Sequence, residues 1–458
     1  MTIISLQISV MTMFDSRKSS IKLINSLKIS VLLVLFLVLY LSNVDCAYAQ
    51  GINIQILSNN SLARMDALVR IDKGIDARLY EYKNDRSVDL SPEQQFLNAG
   101  LEQSSNKDFE GAITHYTQAL QLNSTFAKAY VSRAYARTQI GQREKAFQDY
   151  QKALEIEPKL VDAYIGRGNI YFSQGDNQLA INDFELAISI NSNYYDAYFS
   201  RGSVYLNIEN YKEANKDFSE AISLNPQYID AYVQRGYVKS SLKDYKGVID
   251  DSTKAINLDS LHQEYIPYNN RGLALFYLEQ NEKSLEDLNE CLKIKSDFSP
   301  AYYNKGLVLG NLKKYEEAVS SFDRAIAYQP NDSDYWGHRG DTLLKLEKYE
   351  EAVTSYDQAL SYKSDDYASL VNKGNALLHS DKYEDALASY DKSLKYENSG
   401  YVLYKKACIY GLQANLPLAL TTLKKAIQLD PSYIDKAKTD KNFDMIREQS
   451  EFQELLQS

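Results

Sequence analysis

The chain has 458 residues, enough for several globular domains, and its eight prolines and 38 tyrosines suit helices that carry an aromatic stripe. Its formal charge is −10, and because residues 1–49 carry +2, the remainder carries −12. That balance excludes the basic footprint on which nucleic-acid binding depends.

Residues 1–49 are laid out as a secretory signal. Arg17, Lys18, Lys22 and Lys28 precede an apolar run from Val31 to Leu41, and Ala47-Tyr48-Ala49 sets small residues before Gln50. The run falls short of the roughly 20 apolar residues that a transmembrane helix needs. Cleavage before Gln50 is therefore expected, with export of the mature chain. The alternatives are a retained anchor, with basic residues inside and the rest outside, a buried helix of a cytosolic protein, and an acylated Cys46, against which Asp45 speaks. Residues 50–91 read as a lead-in, partly helical between Ser61 and Tyr82 or mobile, with Gly74 as an interruption. Ser91 is placed to cap a helix that opens on Pro92, with Gln94 three residues on.

From residue 93 the sequence repeats with a period of about 34 residues, in units 93–126, 127–160, 161–194, 195–228, 229–262, 265–298, 299–332, 333–366, 367–399 and 400–433. Unit seven, 299–332, shows the pattern most plainly. Tyr302, Leu309 and Leu312 recur at helical spacing, then Ala318, Val319, Phe322, Ala325 and Ile326 do so before Pro330. Two helices this short cannot bury their apolar faces alone, so stacking of successive units is expected. The fourth residues, among them Tyr130, Tyr164, Tyr198, Tyr232, Tyr268, Tyr302 and Trp336, read as core. The eighth residues, mostly glycine from Gly100 to Gly374, set the spacing of the two helices. Unit five is irregular. Lys239, Gly247 and Ser252 replace larger apolar residues or alanine, and the extra pair Gln263–Glu264 precedes Pro267. It is either the softest joint of the stack or drift without consequence.

With an aromatic at the fourth place, glycine at the eighth, alanine at the twentieth and twenty-seventh, and proline near the thirty-second, the unit resembles the tetratricopeptide repeat; in unit seven these are Tyr302, Gly306, Ala318, Ala325 and Pro330. The resemblance runs over residues 92–433. It implies an all-α, right-handed superhelical solenoid of about ten helix-turn-helix repeats. Residues 434–458, with Phe443, Ile446, Phe452 and Leu455–Leu456, resemble the capping helix that closes such arrays.

The sequence holds no recognisable catalytic constellation. His115, His262, His338 and His379 fall in different units without metal-ligand spacing, and neither a phosphate loop nor a serine nucleophile elbow is present. No catalytic residue, metal ligand or cofactor is assigned, and the chain reads as non-enzymatic. Cys291 and Cys408 lie 117 positions apart and make no disulfide framework. Cys291 stands where other units carry alanine and reads as a small buried hydrophobe. Asn59, Asn123 and Asn331 begin Asn-x-Ser/Thr sequences, which matter only where exported proteins are glycosylated.

Two polar patterns remain. Arg133, Arg167, Arg201, Arg235, Arg271, Lys305, Arg339, Lys373 and Lys406 recur at the seventh place. Asp149, Asp183, Asp217, Asp251 and Asp287 recur at the twenty-third, giving way to Ser321, Ser355 and Ser389. In a hairpin turning near the fifteenth residue these places lie at one height, so they form either an ion-pair ladder or a basic track for an acidic ligand. In units seven to nine the basic groups lose the aspartate and become candidates to bind something else.

The second pattern follows from the resemblance, which implies that the first helix of each unit lines a concave groove. Carried onto this chain, the groove residues are Asn269, Asn270, Phe276 and Tyr277 in unit six, Tyr303, Asn304, Leu307 and Asn311 in unit seven, His338, Asp341 and Lys345 in unit eight, and Val371, Asn372, Asn375 and His379 in unit nine. Earlier units offer Tyr135, Ile165, Asn169, Phe172, Phe199, Asn207, Val233 and Tyr237. Carboxamides interleaved with apolar groups suit an extended peptide. Asn269, Asn270, Phe276, Tyr303, Asn304, Asn311, Asn372 and Asn375 are the peptide-binding candidates. The lysine/asparagine clamp with which co-chaperone arrays hold a C-terminal carboxylate is not evident. The expectation is an exported interaction scaffold that holds a peptide or partner protein in its groove. The alternative is an anchored subunit of a membrane-associated assembly that docks through its convex surface or ends.

Overall fold

The computed structural model describes residues 90–457. The expected signal or anchor at 1–49 and nearly all of the lead-in at 50–91 lie outside the described residues. Among the described residues there are 22 α-helices and one 3-10 turn, with no strand.

Helices come in antiparallel pairs, one pair per unit, from Pro92–Ser105 with Phe109–Leu122 to Gly400–Leu412 with Leu416–Leu429. Ser91 occupies the cap position before Pro92, but its side chain accepts no hydrogen bond. In every unit the turn between the helices passes through one left-handed residue at the fifteenth place. Glycine supplies it in Gly141 and Gly175, while Lys107, Glu209, Lys243, Glu279, Lys313, Glu347, Asp381 and Ala414 adopt it with a side chain.

The alanines of the twentieth and twenty-seventh places are fully buried, for example Ala318 and Ala325, and the large buried rings stand at the twenty-fourth: Tyr116, Tyr150, Phe184, Phe218, Phe322, Tyr356 and Tyr390. Six of these rings lie on the eighth-place glycine of their own unit, while Tyr150, whose unit carries Ala134 there, lies against Gly166 of the next unit. A Cβ added to Gly306 would stand 2.6 Å from the Phe322 ring, so only glycine permits this helix spacing. The fourth-place aromatics are less buried than core residues. Most are half-buried, with the tip donating to a carbonyl of the preceding loop, as in Tyr164 to Pro158 at 3.1 Å and Trp336 to Pro330 at 2.8 Å. Burial of the ring face and hydration of the tip suit an amphipathic side chain.

Each second helix packs on the first helix of the next unit, and first helices of neighbouring units also approach one another from unit one to unit nine. Neighbouring second helices do not approach as closely. The first helices therefore line the inner side of the stack.

Unit five keeps two full helices, Ile229–Ser241 and Tyr245–Leu258. Gly247 does not break the second, because the Asp244 carboxylate accepts from its N–H at 3.0 Å. Lys239 pairs with Asp251 at 2.9 Å. What unit five lacks is packing: Ser252 stands in the place of the ring, and its Oγ lies 4.0 Å from where a Cβ on Gly236 would be. Gln263–Glu264 fall in the connecting loop beside Leu261, which is 73% exposed.

The chain end is a composite cap, not one helix. Helix Tyr433–Thr439, the 3-10 turn Lys441–Phe443 and helix Ser450–Leu455 follow one another. Phe443, Ile446, Phe452 and Leu456 bury themselves against Leu423 and Ala426 of unit ten. Arg447 donates to the carbonyls of Ala437, Lys438 and Asp440, which replaces the bonds that a continuing helix would have made.

Candidate functional site: the inner face and its supports

The ladder is present and holds the first helices in register. Arg133, Arg167, Arg201, Arg235 and Arg271 each grip the aspartate of their own unit with two nitrogens, at 2.6–2.9 Å. Three of these guanidinium groups also donate to a hydroxyl of the preceding unit, at Thr117, Ser219 and Thr253, and Arg201 stands 3.9 Å from Glu185 there. Each lies over its fourth-place tyrosine, with Arg133 5.4 Å from the centre of the Tyr130 ring. The charge-assisted bond to Asp183 pushes the Arg167 guanidinium up and exceeds the opposing effect of burial.

Where serine replaces aspartate, the basic groups are not released. Arg339 turns to Asp323 of the preceding unit at 2.7 Å and Lys373 to Asp357 at 2.6 Å, and in unit ten, where the twenty-third place is Thr422, Lys406 likewise takes Asp391. The expectation of free cations in units seven to nine is thus corrected for these groups: the twenty-fifth place of one unit takes over from the twenty-third of the next. Lys305 stands apart, because its partner at 2.9 Å is the carboxamide of Asn289.

On the inner face the amides of units six and seven face one another. Asn269, Asn270 and Asn304 are buried. Asn304 donates to the Asn269 oxygen at 2.9 Å, and Asn269 to Asn270 at 3.5 Å. Tyr303 is also buried, stacked on Tyr335 at 4.8 Å, with its hydroxyl 3.3 Å from Nδ1 of His338. These four were expected on an open groove surface. The structure places them inside the joint, because the close approach of neighbouring first helices covers the fifth and sixth places.

A second network crosses units eight to ten. The Asp341 carboxylate accepts from Asn372 at 2.9 Å and from the Tyr356 hydroxyl at 2.7 Å. Asn375 donates to Asn372 at 3.4 Å and accepts from Tyr390 at 2.8 Å and Tyr401 at 3.2 Å. Asn372 and Asn375 are half-buried, as is Phe276, and Asn311 is exposed, so these four keep an accessible edge. Of the earlier residues, Tyr135, Ile165, Phe172, Phe199, Val233 and Tyr237 are buried core, and only Asn169 and Asn207 keep accessible surface. Sequence reasoning missed Tyr401, which is 41% exposed with Lys405 over its ring. It stands on the first helix of unit ten, from which its hydroxyl reaches Asn375 of unit nine.

Burial pushes the Cys291 and Cys408 thiols up to about 12, which fits inert packing groups. Among the described residues no three histidine, cysteine, aspartate or glutamate side chains gather as a metal site, and no helix is long and apolar enough to cross a membrane.

Models of the TPR repeat match residues 134–172 and 168–208, and further models of the tetratricopeptide repeat match 195–228, 267–298, 299–332, 321–354 and 339–401. Together they span about half of the chain. Comparison with curated proteins yields no match. Similar solved structures include YrrB, described as a TPR protein with an unusual peptide-binding site, at 24% identity over 40% of this chain and 92% of that one, with a TM-score of 0.35. PilF of Pseudomonas aeruginosa matches at 22% identity over 44% and 92%, TM-score 0.40. A tetratricopeptide repeat protein of Parabacteroides merdae matches at 17% over 55% and 98%, TM-score 0.41. With helix pairs stacked at the period of these matches, the chain belongs to the tetratricopeptide repeat family of protein–protein interaction scaffolds.

Proposed function

We propose that the chain is an exported, non-enzymatic scaffold that binds an extended segment of a partner protein along its inner face. The observation that carries this reading is a row of inner-face carboxamides that keep accessible surface, Asn169, Asn207, Asn311, Asn372 and Asn375. A carboxamide can both donate to and accept from a peptide bond, so such a row suits an extended backbone. Phe276, Asn311, Asn372, Asn375 and Tyr401 supply the accessible contacts. Asn269, Tyr303 and Asn304 lie beneath and hold the face in shape.

The test begins with a partner captured by proximity labelling in the native organism, whose contacting segment is then made as a peptide. Titration against Asn169→Ala and Asn375→Ala should show a loss of about 0.5–1.5 kcal/mol each, and the outer-face control Glu316→Ala should show none. Unchanged affinity in both inner-face variants, with melting temperature intact, would sink the reading. Export rests on the order of charges, apolar run and small residues in 1–49. N-terminal sequencing of exported material should start at Gln50, and retention of Val31–Leu41 there would favour the anchor.

A further inference from the structure

Of the nine basic side chains at the seventh place, Lys305 alone forms no ion pair among the described residues. The cause is local. In its own unit the twenty-third place is Ser321, whose hydroxyl donates to the Glu317 carbonyl at 2.9 Å. In the preceding unit the twenty-fifth place is Asn289, where later units carry Asp323, Asp357 and Asp391. Lys305 stands where the ladder changes from partners within a unit to partners across units, and this rung lacks its carboxylate.

At this spot an open surface depression of about 510 Å³ lies between the second helix of unit six, Asn281–Ile294, and the first helix of unit seven, Ser299–Asn311. Lys305 and Asn289 line it together with the Tyr302 ring and Leu292. Glu286 and the ion pair of Lys293 with Glu290 complete the lining. None of the inner-face amides takes part.

We propose that this depression receives the side-chain carboxylate of an aspartate or glutamate in a partner's peptide segment, which completes the missing rung. The ammonium group has three donors and Asn289 takes one, so a carboxylate can accept charge-assisted bonds from the rest. Tyr302 and Leu292 receive the methylene groups. Glu286, which makes no ion pair among the described residues, repels a bare anion and favours an acidic residue with a lysine or arginine beside it. This depression is separate from the inner face, and its occupant does not depend on that reading.

The probe is N-acetyl-glutamyl-lysine amide, titrated calorimetrically into the full chain at low salt. N-acetyl-glutaminyl-lysine amide and acetate serve as comparisons. The glutamyl peptide should bind saturably, and the glutaminyl peptide and acetate at least tenfold more weakly. Asn289→Asp should supply the carboxylate from within, as Asp323 does for Arg339, so it should weaken the peptide at least tenfold while raising the melting temperature. Lys305→Met should weaken the peptide equally. No saturable binding to the unmodified chain, equal affinity for both peptides, or undiminished binding in Asn289→Asp overturns the proposal. Acetate binding as tightly as the peptide overturns the choice of a peptide ligand.

Discussion

The Asn304 carboxamide donates to the Asn269 oxygen across 2.9 Å, from one first helix to the next, with both side chains buried. Asn304→Ala therefore leaves a buried acceptor unsatisfied and should cost about 1–3 kcal/mol of stability. Chemical denaturation measures it. A cost near zero would mean that the joint between units six and seven does not depend on its amides.

Arg167 and Asp183 make a two-nitrogen contact in which the carboxylate is almost fully buried. Unlike an exposed pair, this one should show a coupling of roughly 1–3 kcal/mol in a double-mutant cycle of Arg167→Ala and Asp183→Ala. Additive effects would remove the ladder as a stabilising device.

Two glycines at the same place should respond with opposite sign. A Cβ at Gly236 meets nothing closer than Ser252 Oγ at 4.0 Å, so Gly236→Ala should stabilise by about 0.5–1 kcal/mol through helix propensity. A Cβ at Gly306 would press on Phe322 at 2.6 Å, so Gly306→Ala should destabilise by about 1–3 kcal/mol. Thermal melts of the two variants settle whether unit five is under-packed.

Burial, with a smaller effect of Asp334, pushes the Asp332 carboxyl up to about 6. Folding thus favours the protonated form. The resulting stability is complete below the unfolded value near 4 and is lost as pH rises through 6. Asp332→Asn should remove this loss, so the variant should gain up to about 3 kcal/mol over the parent at pH 7.5 and little by pH 4. Melting curves at several pH values check it, and a constant difference would refute the assignment.

The fifteenth place costs the fold something wherever it is not glycine. Lys313 holds φ at 60°, and Lys313→Gly should raise stability by several tenths of a kcal/mol up to about 1. A fall on calorimetry would show that the Lys313 side chain contributes more than its backbone conformation costs.

Much of this protein follows from the sequence alone, because a repeat forces the same local solution many times. The 34-residue period, the helix pair, the glycine opposite a ring and the sixteen-residue offset between Arg167 and Asp183 are all properties of one unit. Periodicity and spacing express them directly. Relations between units were decided only by the tertiary structure. The distance between neighbouring first helices buries Asn269, Tyr303 and Asn304 while leaving Asn311 exposed, and helical spacing within one unit carries no information about that distance. The bond of Arg339 to Asp323, made beside its bond to Ser355 of its own unit, is of the same kind, since the acid belongs to the unit before. The cap shows the limit most clearly. Phe443, Ile446 and Phe452 are spaced as on a helix, yet the chain bends between them so that each side chain reaches the surface of unit ten, and Arg447 binds the carbonyls that the bend sets free.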